Sequence, residues 1–115
     1  MLSGADEIYL AVGATDLRKG IDGLAIMIQE HFALDPFSKK HFVFCNRSKD
    51  KLKILEWAGT GFWLHYFRLE KGSFKWPDGK SEAISIDSRQ FRWLLDGLTL
   101  DEQAAHPYIK ERLIV

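Results

Sequence analysis

The chain has a single cysteine, Cys45, which excludes an internal disulfide and any metal site built only from cysteines of one chain. Cys45 lies in the apolar run HFVFCN, which is typical of a buried and unreactive thiol. No apolar run approaches the roughly 20 residues that a membrane-spanning helix needs. The first residues, MLSGADEIYL, lack a basic segment followed by an apolar one, so we expect no signal peptide. We therefore expect a cytoplasmic protein without membrane contact.

Signatures of catalytic sites are also scarce. The sequence has no Gly-x-Ser-x-Gly elbow and no Walker-type phosphate loop. Asp16, Asp22 and Asp35 could serve a metal-dependent nuclease, but a helix cap accounts for Asp16 and a turn before proline accounts for Asp35. The histidines have neither the spacing of metal ligands nor a partnering cysteine pair: His31, His41, His65 and His106. We predict no cofactor, no metal and no enzymatic activity.

The formal net charge is zero, yet the charges are unevenly distributed along the chain. Residues 36–80 carry ten positive and four negative side chains. Residues 1–35 carry two and six, and residues 81–115 carry four and six. A polyanion responds to the local field rather than to the average charge. The middle of the chain is therefore the segment in which we look for a nucleic-acid contact.

The composition predicts one folded domain over residues 1–115. Hydrophobic residues make up 46% of the chain and aromatic residues 13%, which is sufficient for a core at this length. Neither an internal repeat nor a linker divides the chain. We place the core over about 8–98 and a C-terminal tail over 99–115, with a short helix and an extended end expected beyond 100.

A helix is predicted over 16–32, with Thr15 or Asp16 as its cap. Its apolar residues recur at intervals of four, three, four and four: Leu17, Ile21, Leu24, Ile28 and Phe32. Gly20 and Gly23 lower its intrinsic stability, so we expect another backbone to pack closely against them. A second, shorter helix is predicted after Asp87, which with Gln90 resembles a capping box. Its expected buried face consists of Phe91, Leu94, Leu95 and Leu98, and Gly97 is expected to end it.

Alternating apolar residues and polar turns predict the strands. The segments are 7–12, 41–45, 51–57, 62–70, 73–76 and 82–86. The segment 62–70 is the most apolar, which predicts that it lies at the sheet centre. The fold class is therefore α+β, with a mostly antiparallel sheet of about five strands, one longer N-terminal helix and one shorter C-terminal helix.

The combination of basic and aromatic residues between 34 and 77 indicates a nucleic-acid contact. Cations neutralise phosphates and release counterions, and aromatic rings stack on unpaired bases. The candidate DNA-binding residues are Arg18, Lys19, Arg47, Lys49, Lys51, Lys53, Arg68 and Lys71. The nearby aromatic residues are Phe62, Trp63, Tyr66, Phe67, Phe74 and Trp76. The alternative is that the aromatics form the core and the lysines a solvated rim that protects sheet edges.

Three segments resemble TnpB, the accessory protein encoded by the second open reading frame of insertion-sequence-66-type bacterial transposons. They are IYLAVGATDLRKGIDGLA from Ile8, DPFSKKHFVFCNRSKDKLKIL from Asp35 and GFWLHYFRLEKGSFKWP from Gly61. The chain departs from the family pattern around the tryptophan of K-I-L-x-W, where it has Glu56 and Ala58. It also has fewer arginines in the hairpin loop.

The resemblance implies a role in transposition beside a separate transposase, and it brings no catalytic residues. DNA is the implied partner, and the transposase or another accessory protein is the alternative partner. The oligomeric state stays open. The motif residues that the resemblance carries over are Asp16, Arg18, Lys19, Gly20, Asp22, Gly23, Arg47, Asp50, Lys53, Trp57, Arg68, Glu70, Lys71, Gly72 and Trp76.

Overall fold

The computed structural model describes residues 7–100, which form one sheet and two helices. The elements are β1 (Ile8–Ala11), α1 (Ile21–His31), β2 (His41–Cys45), β3 (Lys51–Trp57), β4 (Phe62–Arg68), β5 (Ala83–Ile86) and α2 (Ser88–Leu95). The sheet order is β4-β3-β2-β1-β5. Only β1 and β2 pair in parallel, and the other three pairs are antiparallel. The predicted α+β class and the mostly antiparallel sheet are confirmed. The segment 101–115 lies outside the described residues.

Side chains that alternate along the strands build one core on each face of the sheet. On one face, the strand residues pack against α2, with Val43, Cys45, Leu52, Ile54, Phe91 and Leu94 all buried. On the other face, they pack against α1, with Phe42, Phe44, Leu55, Leu24 and Ile28 all buried. These are called the α2 face and the α1 face. Neither helix is long and apolar enough to cross a membrane.

The helix α1 begins later than predicted. It starts at Ile21 with Gly20 as the N-cap residue and without a side-chain cap, so the caps assigned to Thr15 and Asp16 were wrong. The Asp16 carboxylate instead accepts hydrogen bonds from the backbone N–H and the guanidinium of Arg18, at 3.0 and 2.8 Å. A local side-chain bond of this kind offers the backbone an alternative to the helix. The residues before Gly20 therefore form a turn.

The explanation offered for the two glycines of α1 was also wrong. A Cβ atom on Gly20 would meet nothing within 4 Å. A Cβ atom on Gly23 would meet the side chain of Lys19, with Cβ at 3.3 Å, and no foreign backbone. Gly20 instead stands where the extended turn becomes a helix.

The strand β4 lies at an edge of the sheet, so its predicted central place was wrong. It ends at Arg68, and its residues are at least partly exposed, including Trp63 at 61% and Tyr66 at 57%. The fully buried strand is β2, which the crossover through α1 places between β1 and β3. Apolar composition alone does not distinguish a buried strand from an edge strand whose aromatic residues face solvent.

The segment 73–76 is not a strand, so that prediction was wrong. Phe74 and Trp76 are buried, and the Trp76 indole N–H donates to the carbonyl of Ala11 at 2.9 Å. The capping box of Asp87 and Gln90 at the start of α2 is confirmed.

The C-terminal end of α2 differs from the prediction in one residue. Leu98 is 40% exposed and lies beyond the end of the helix, so its place on the buried face was wrong. Gly97 has a φ of 89°, a conformation that suits glycine and ends the helix as predicted.

Candidate nucleic-acid interface

The strand directions bring three separate segments together at one end of the sheet. β1, β2 and β4 all finish at this end, and β3 and β5 begin there. Backbone hydrogen bonds join the segments: Thr15 N–H donates to Cys45 O at 2.7 Å, and Phe74 N–H donates to Lys49 O at 2.7 Å. We call this region the basic end and define it as residues 12–19, 46–53 and 68–82.

The basic end concentrates positive charge. It holds ten Lys and Arg side chains and five Asp and Glu side chains. The rest of residues 7–100 hold four positive and seven negative side chains. A local excess of one sign produces a field that attracts polyanions even when the whole chain is neutral.

All eight sequence-predicted cations lie in the basic end. Arg18 and Lys19 follow β1, while Arg47 and Lys49 occupy the β2–β3 turn. The remaining four are Lys51 and Lys53 on β3, Arg68 at the end of β4 and Lys71 just beyond it. Two further lysines, Lys75 and Lys80, belong to the same end and were not among the predicted site residues. Their place within the positive segment 36–80 was the signal that could have included them.

Within the described part of the chain, three of the eight cations have a carboxylate partner. The Arg18 guanidinium lies 2.8 Å from Asp16, the Arg68 guanidinium 2.8 Å from Glu70, and the Lys51 ammonium 3.4 Å from Asp50. The hydrogen bond from the Arg18 side chain, together with the one from its backbone N–H, holds the pKa of Asp16 far below its usual range. These cations are therefore already partly neutralised.

Four of the other five cations have neither a carboxylate partner nor a side-chain hydrogen bond among residues 7–100: Lys19, Arg47, Lys49 and Lys71. The Lys53 ammonium donates to the carbonyl of Lys19 at 3.2 Å, which links β3 to the turn before α1. A groove of about 430 Å³ lies between the turn 14–17 and the turn 46–48, and Arg47 lines it. The unpaired cations are the side chains most available to a phosphate.

The β2–β3 turn is held in one shape by Asn46, a residue that was not assigned a role from the sequence. Its side-chain oxygen accepts from the N–H groups of Asp50 and Lys51, both at 3.0 Å. Its amide donates to the Asp50 carboxylate at 2.7 Å, and this bond is the main cause of the lowered pKa of Asp50. Asparagine at the start of a polar turn was the available signal. The ordered turn presents Arg47 without further loss of backbone entropy.

The six aromatic residues do not form one stacking surface. Phe74 and Trp76 are core residues, and Phe62 packs in an edge-to-face contact with Trp57. Tyr66 lies opposite Lys53 on the α1 face. The other two exposed rings, Trp63 and Phe67, lie on the α2 face of β4. The interpretation of the aromatics as core residues therefore holds for some of them and is wrong for others.

Two histidines share one carboxylate at the opposite end of the sheet. Glu56 lies 3.3 Å from Nε2 of the buried His41 and 2.8 Å from Nε2 of His65. Burial lowers the pKa of His41. Burial acts to raise the pKa of Glu56, but the hydrogen bond from His65 and the neighbouring imidazoles give a net lowering. Among residues 7–100, no three His, Cys, Asp or Glu side chains are placed to hold a metal ion.

The lowered pKa of His41 predicts that the protein loses stability as the pH falls below 6.5, the ordinary value. The unfolded chain then takes up a proton that the folded chain does not. This lowers the free energy of unfolding by up to about 1.4 kcal/mol per pH unit. Glu56 adds to the loss only when the pH falls below its own ordinary value of 4.5. Urea unfolding between neutral pH and about pH 5 measures this slope. His41→Gln should flatten it, whereas His31→Gln, at an exposed histidine, should not. An unchanged slope in His41→Gln would contradict the assignment.

Cys45 is fully buried, and burial raises the pKa of its thiol to about 12. A thiol with so high a pKa is almost entirely protonated at neutral pH and is a poor nucleophile. The predicted burial of Cys45 is therefore confirmed, and the raised pKa agrees with the predicted lack of reactivity.

Comparison with known proteins places the chain in a family. Residues 6–105 match the family model described as IS66 Orf2 like protein. Two relatives come from Sinorhizobium fredii. The uncharacterized protein y4hO is 38% identical over 91 residues, 79% of each chain. The uncharacterized protein y4jC is 32% identical over 91 residues, 79% of this chain and 78% of its own. No solved structure matches the chain. The protein therefore belongs to the IS66 Orf2-like family, which links it to insertion-sequence transposition as an accessory protein.

Proposed function

We propose that this protein is a non-catalytic accessory factor of transposition that binds DNA through the basic end. The observation that carries the proposal is the convergence of all eight predicted cations from three distant segments onto one end of the sheet. Each cation that neutralises a phosphate releases condensed counterions, which favours binding and makes it depend on salt. The Orf2-like family supplies the context of transposition.

The unpaired cations Lys19, Arg47, Lys49 and Lys71 would make the principal phosphate contacts. Arg18, Lys51 and Arg68 would contribute less, because each must share its charge with a neighbouring carboxylate. Contacts of this kind give affinity and orientation but do not read base sequence. We therefore expect similar binding to transposon ends and to unrelated duplexes of the same length.

The proposed lack of catalysis is supported by the state of the candidate reactive groups. Asp16 is tied to Arg18, and Cys45 is buried and protonated. Metal-dependent cleavage of DNA that is lost in Asp16→Asn or Asp22→Asn would contradict a non-catalytic role.

The experiment that tests the proposal is fluorescence anisotropy of labelled DNA with the purified protein at two salt concentrations. The probes are a transposon-end duplex, a random duplex and a single strand. We expect micromolar or tighter binding that weakens steeply with salt. An absence of binding to every probe at low salt would overturn the proposal.

Asp16→Asn should strengthen DNA binding. The substitution removes one negative charge from the basic end and releases the Arg18 guanidinium, whose side chain is 91% exposed. One additional phosphate contact should raise the affinity by up to roughly tenfold at low salt and increase the salt slope by about one. Asp35→Asn is the control, since it removes the same charge outside the basic end and retains the oxygen that accepts from Phe37 N–H. Equal gains in both variants would show that only net charge matters.

A second candidate function is a protein adaptor, and the exposed side of α1 favours it. Asp22, Ile26 and Glu30 recur at intervals of four residues, and Ile26 is 50% exposed. An apolar residue between two carboxylates is suited to a basic partner such as a DNA-binding transposase. Retention of the transposase in a pull-down after nuclease treatment and at high salt, with loss in Ile26→Glu, would support it. A transposase that is not retained would contradict it.

A further inference from the structure

The edge strand β4 has an open side. The hydrogen bonds from Ala58 N–H to Gly61 O and from Leu69 N–H to Asp50 O fix the alternation of its pairing with β3. Trp63, His65 and Phe67 therefore direct their backbone groups towards β3. The intervening residues direct theirs away from the sheet: Phe62, Leu64, Tyr66 and Arg68. No backbone hydrogen bond from residues 7–100 reaches this outer row.

Large apolar side chains accompany the open edge. Trp63 is 61% exposed and Phe67 39% exposed on the α2 face, and Tyr66 is 57% exposed on the α1 face. An exposed edge strand with unpaired backbone groups and exposed aromatic residues can pair with a strand of another chain. The one fully charged residue on the strand, Arg68, lies at its end.

We propose that β4 pairs with β4 of a second copy of this chain, antiparallel and centred on His65. The symmetric register then matches the outward row with itself, because Leu64 pairs with Tyr66 of the second copy and Phe62 pairs with Arg68. Every outward N–H and C=O of the strand finds a partner. No other symmetric register pairs all seven residues of β4.

The same register covers the exposed aromatic residues. Trp63 of each copy lies opposite Phe67 of the other in a non-hydrogen-bonded pair, where Cα atoms approach to about 4.5 Å and side chains are closest. Arg68 lies opposite Phe62 and not opposite another cation. The two His65 residues lie opposite each other at the two-fold axis. Nε2 of each lies 2.8 Å from Glu56 of its own chain. The second copy is thus complementary in hydrogen bonding, in apolar surface and in charge.

The dimer would place the two basic ends at opposite ends of a continuous ten-stranded sheet, since paired antiparallel strands finish in opposite directions. Resting on the proposed function, this arrangement predicts that one dimer holds two DNA segments. A bead-bound duplex should then retain a second, labelled duplex with the wild-type protein. Loss of this retention in a monomeric variant that still binds single duplexes would assign it to the dimer.

The dimer itself is tested without DNA by sedimentation velocity, against the chain mass of 13.3 kDa. We expect twice this mass for the wild type. Trp63→Lys with Phe67→Lys, and separately Trp63→Glu with Phe67→Glu, should each be monomeric because like charges oppose each other across the axis. Mixing the two variants should restore the dimer. A monomeric wild type, dimeric variants, or a mixture of folded variants that stays monomeric would overturn the proposal.

A cysteine pair tests the register if the charged variants fail to fold. His65→Cys places two thiols opposite each other, with Cα atoms within the range of a disulfide. Tyr66→Cys is the matched control, because its Cα atoms would lie roughly 8 Å apart, beyond that range. The buried Cys45 stays in both proteins. We expect a covalent dimer of His65→Cys only. A covalent dimer of neither variant, or of both equally, would overturn the register.

Discussion

Replacing Arg47 and Lys71 together by glutamine should weaken DNA binding by roughly 60-fold at about 0.1 M salt and reduce the salt slope by about two. Both side chains are exposed, and neither has a carboxylate partner among residues 7–100. Each phosphate contact contributes about 0.9 to the slope, so two contacts give nearly two powers of ten at that salt concentration. Anisotropy titrations at several salt concentrations measure both quantities.

The control for this loss is Lys39→Gln with Arg89→Gln. It removes the same charge at the opposite end of the sheet, where β2 begins and where α2 follows β5. An equal loss of affinity in the control would show that net charge, and not the basic end, determines binding.

Replacing Lys51 and Lys53 by alanine should also lower the DNA affinity and the salt slope, but by less than the Arg47 and Lys71 replacement. Lys51 is paired with Asp50, and the Lys53 ammonium already donates to a backbone carbonyl.

Trp76→Ala should cost about 3–5 kcal/mol of unfolding free energy. The indole is 5% exposed within the core on the α2 face, and its N–H donates to the carbonyl of Ala11. The substitution removes a large apolar surface and also leaves a buried carbonyl without its donor. Trp76 anchors the segment after β4 against β1, so the position of Lys75 depends on it as well. Urea unfolding measures the loss.

Trp76→Phe separates the two contributions. Phenylalanine keeps part of the apolar contact, but it lacks the donor and leaves a smaller void. Its cost should therefore lie below that of Trp76→Ala and include about 1–3 kcal/mol for the unsatisfied buried carbonyl. Equal costs for Trp76→Ala and Trp76→Phe would mean that the hydrogen bond carries the whole effect. A cost below about 1 kcal/mol for Trp76→Ala would contradict its placement in the core.

Predictions from local sequence patterns were correct where the pattern is compatible with only one structure. The capping box of Asp87 and Gln90 starts α2, and the alternation in HFVFCN gives a strand with Phe42 and Phe44 on one face. The prediction of Asp16 as a helix cap was wrong, because a carboxylate can accept hydrogen bonds from the N–H groups at a helix N-terminus or from its own near neighbours. The competing bond to Arg18 was equally compatible with the sequence.

The place of β4 could not be inferred from its composition. The sequence FWLHYFR is as apolar as that of a central strand, but whether a strand lies at the centre or at the edge of a sheet depends on the strands it pairs with. Here the crossover from β1 to β2 fills the centre, and β4 remains at the edge. The exposure of Trp63 and Tyr66 follows from that position and not from their own chemistry.

The sequence by itself determined the α+β class, most strands, the buried thiol and the excess of positive charge between 36 and 80, because each depends on residue type and short-range periodicity. Tertiary structure alone decided that the cations after β1, in the β2–β3 turn and after β4 lie at the same end of the sheet. The physical reason is strand direction, since segments far apart in the chain meet only when parallel and antiparallel pairing brings their ends to the same edge of the sheet.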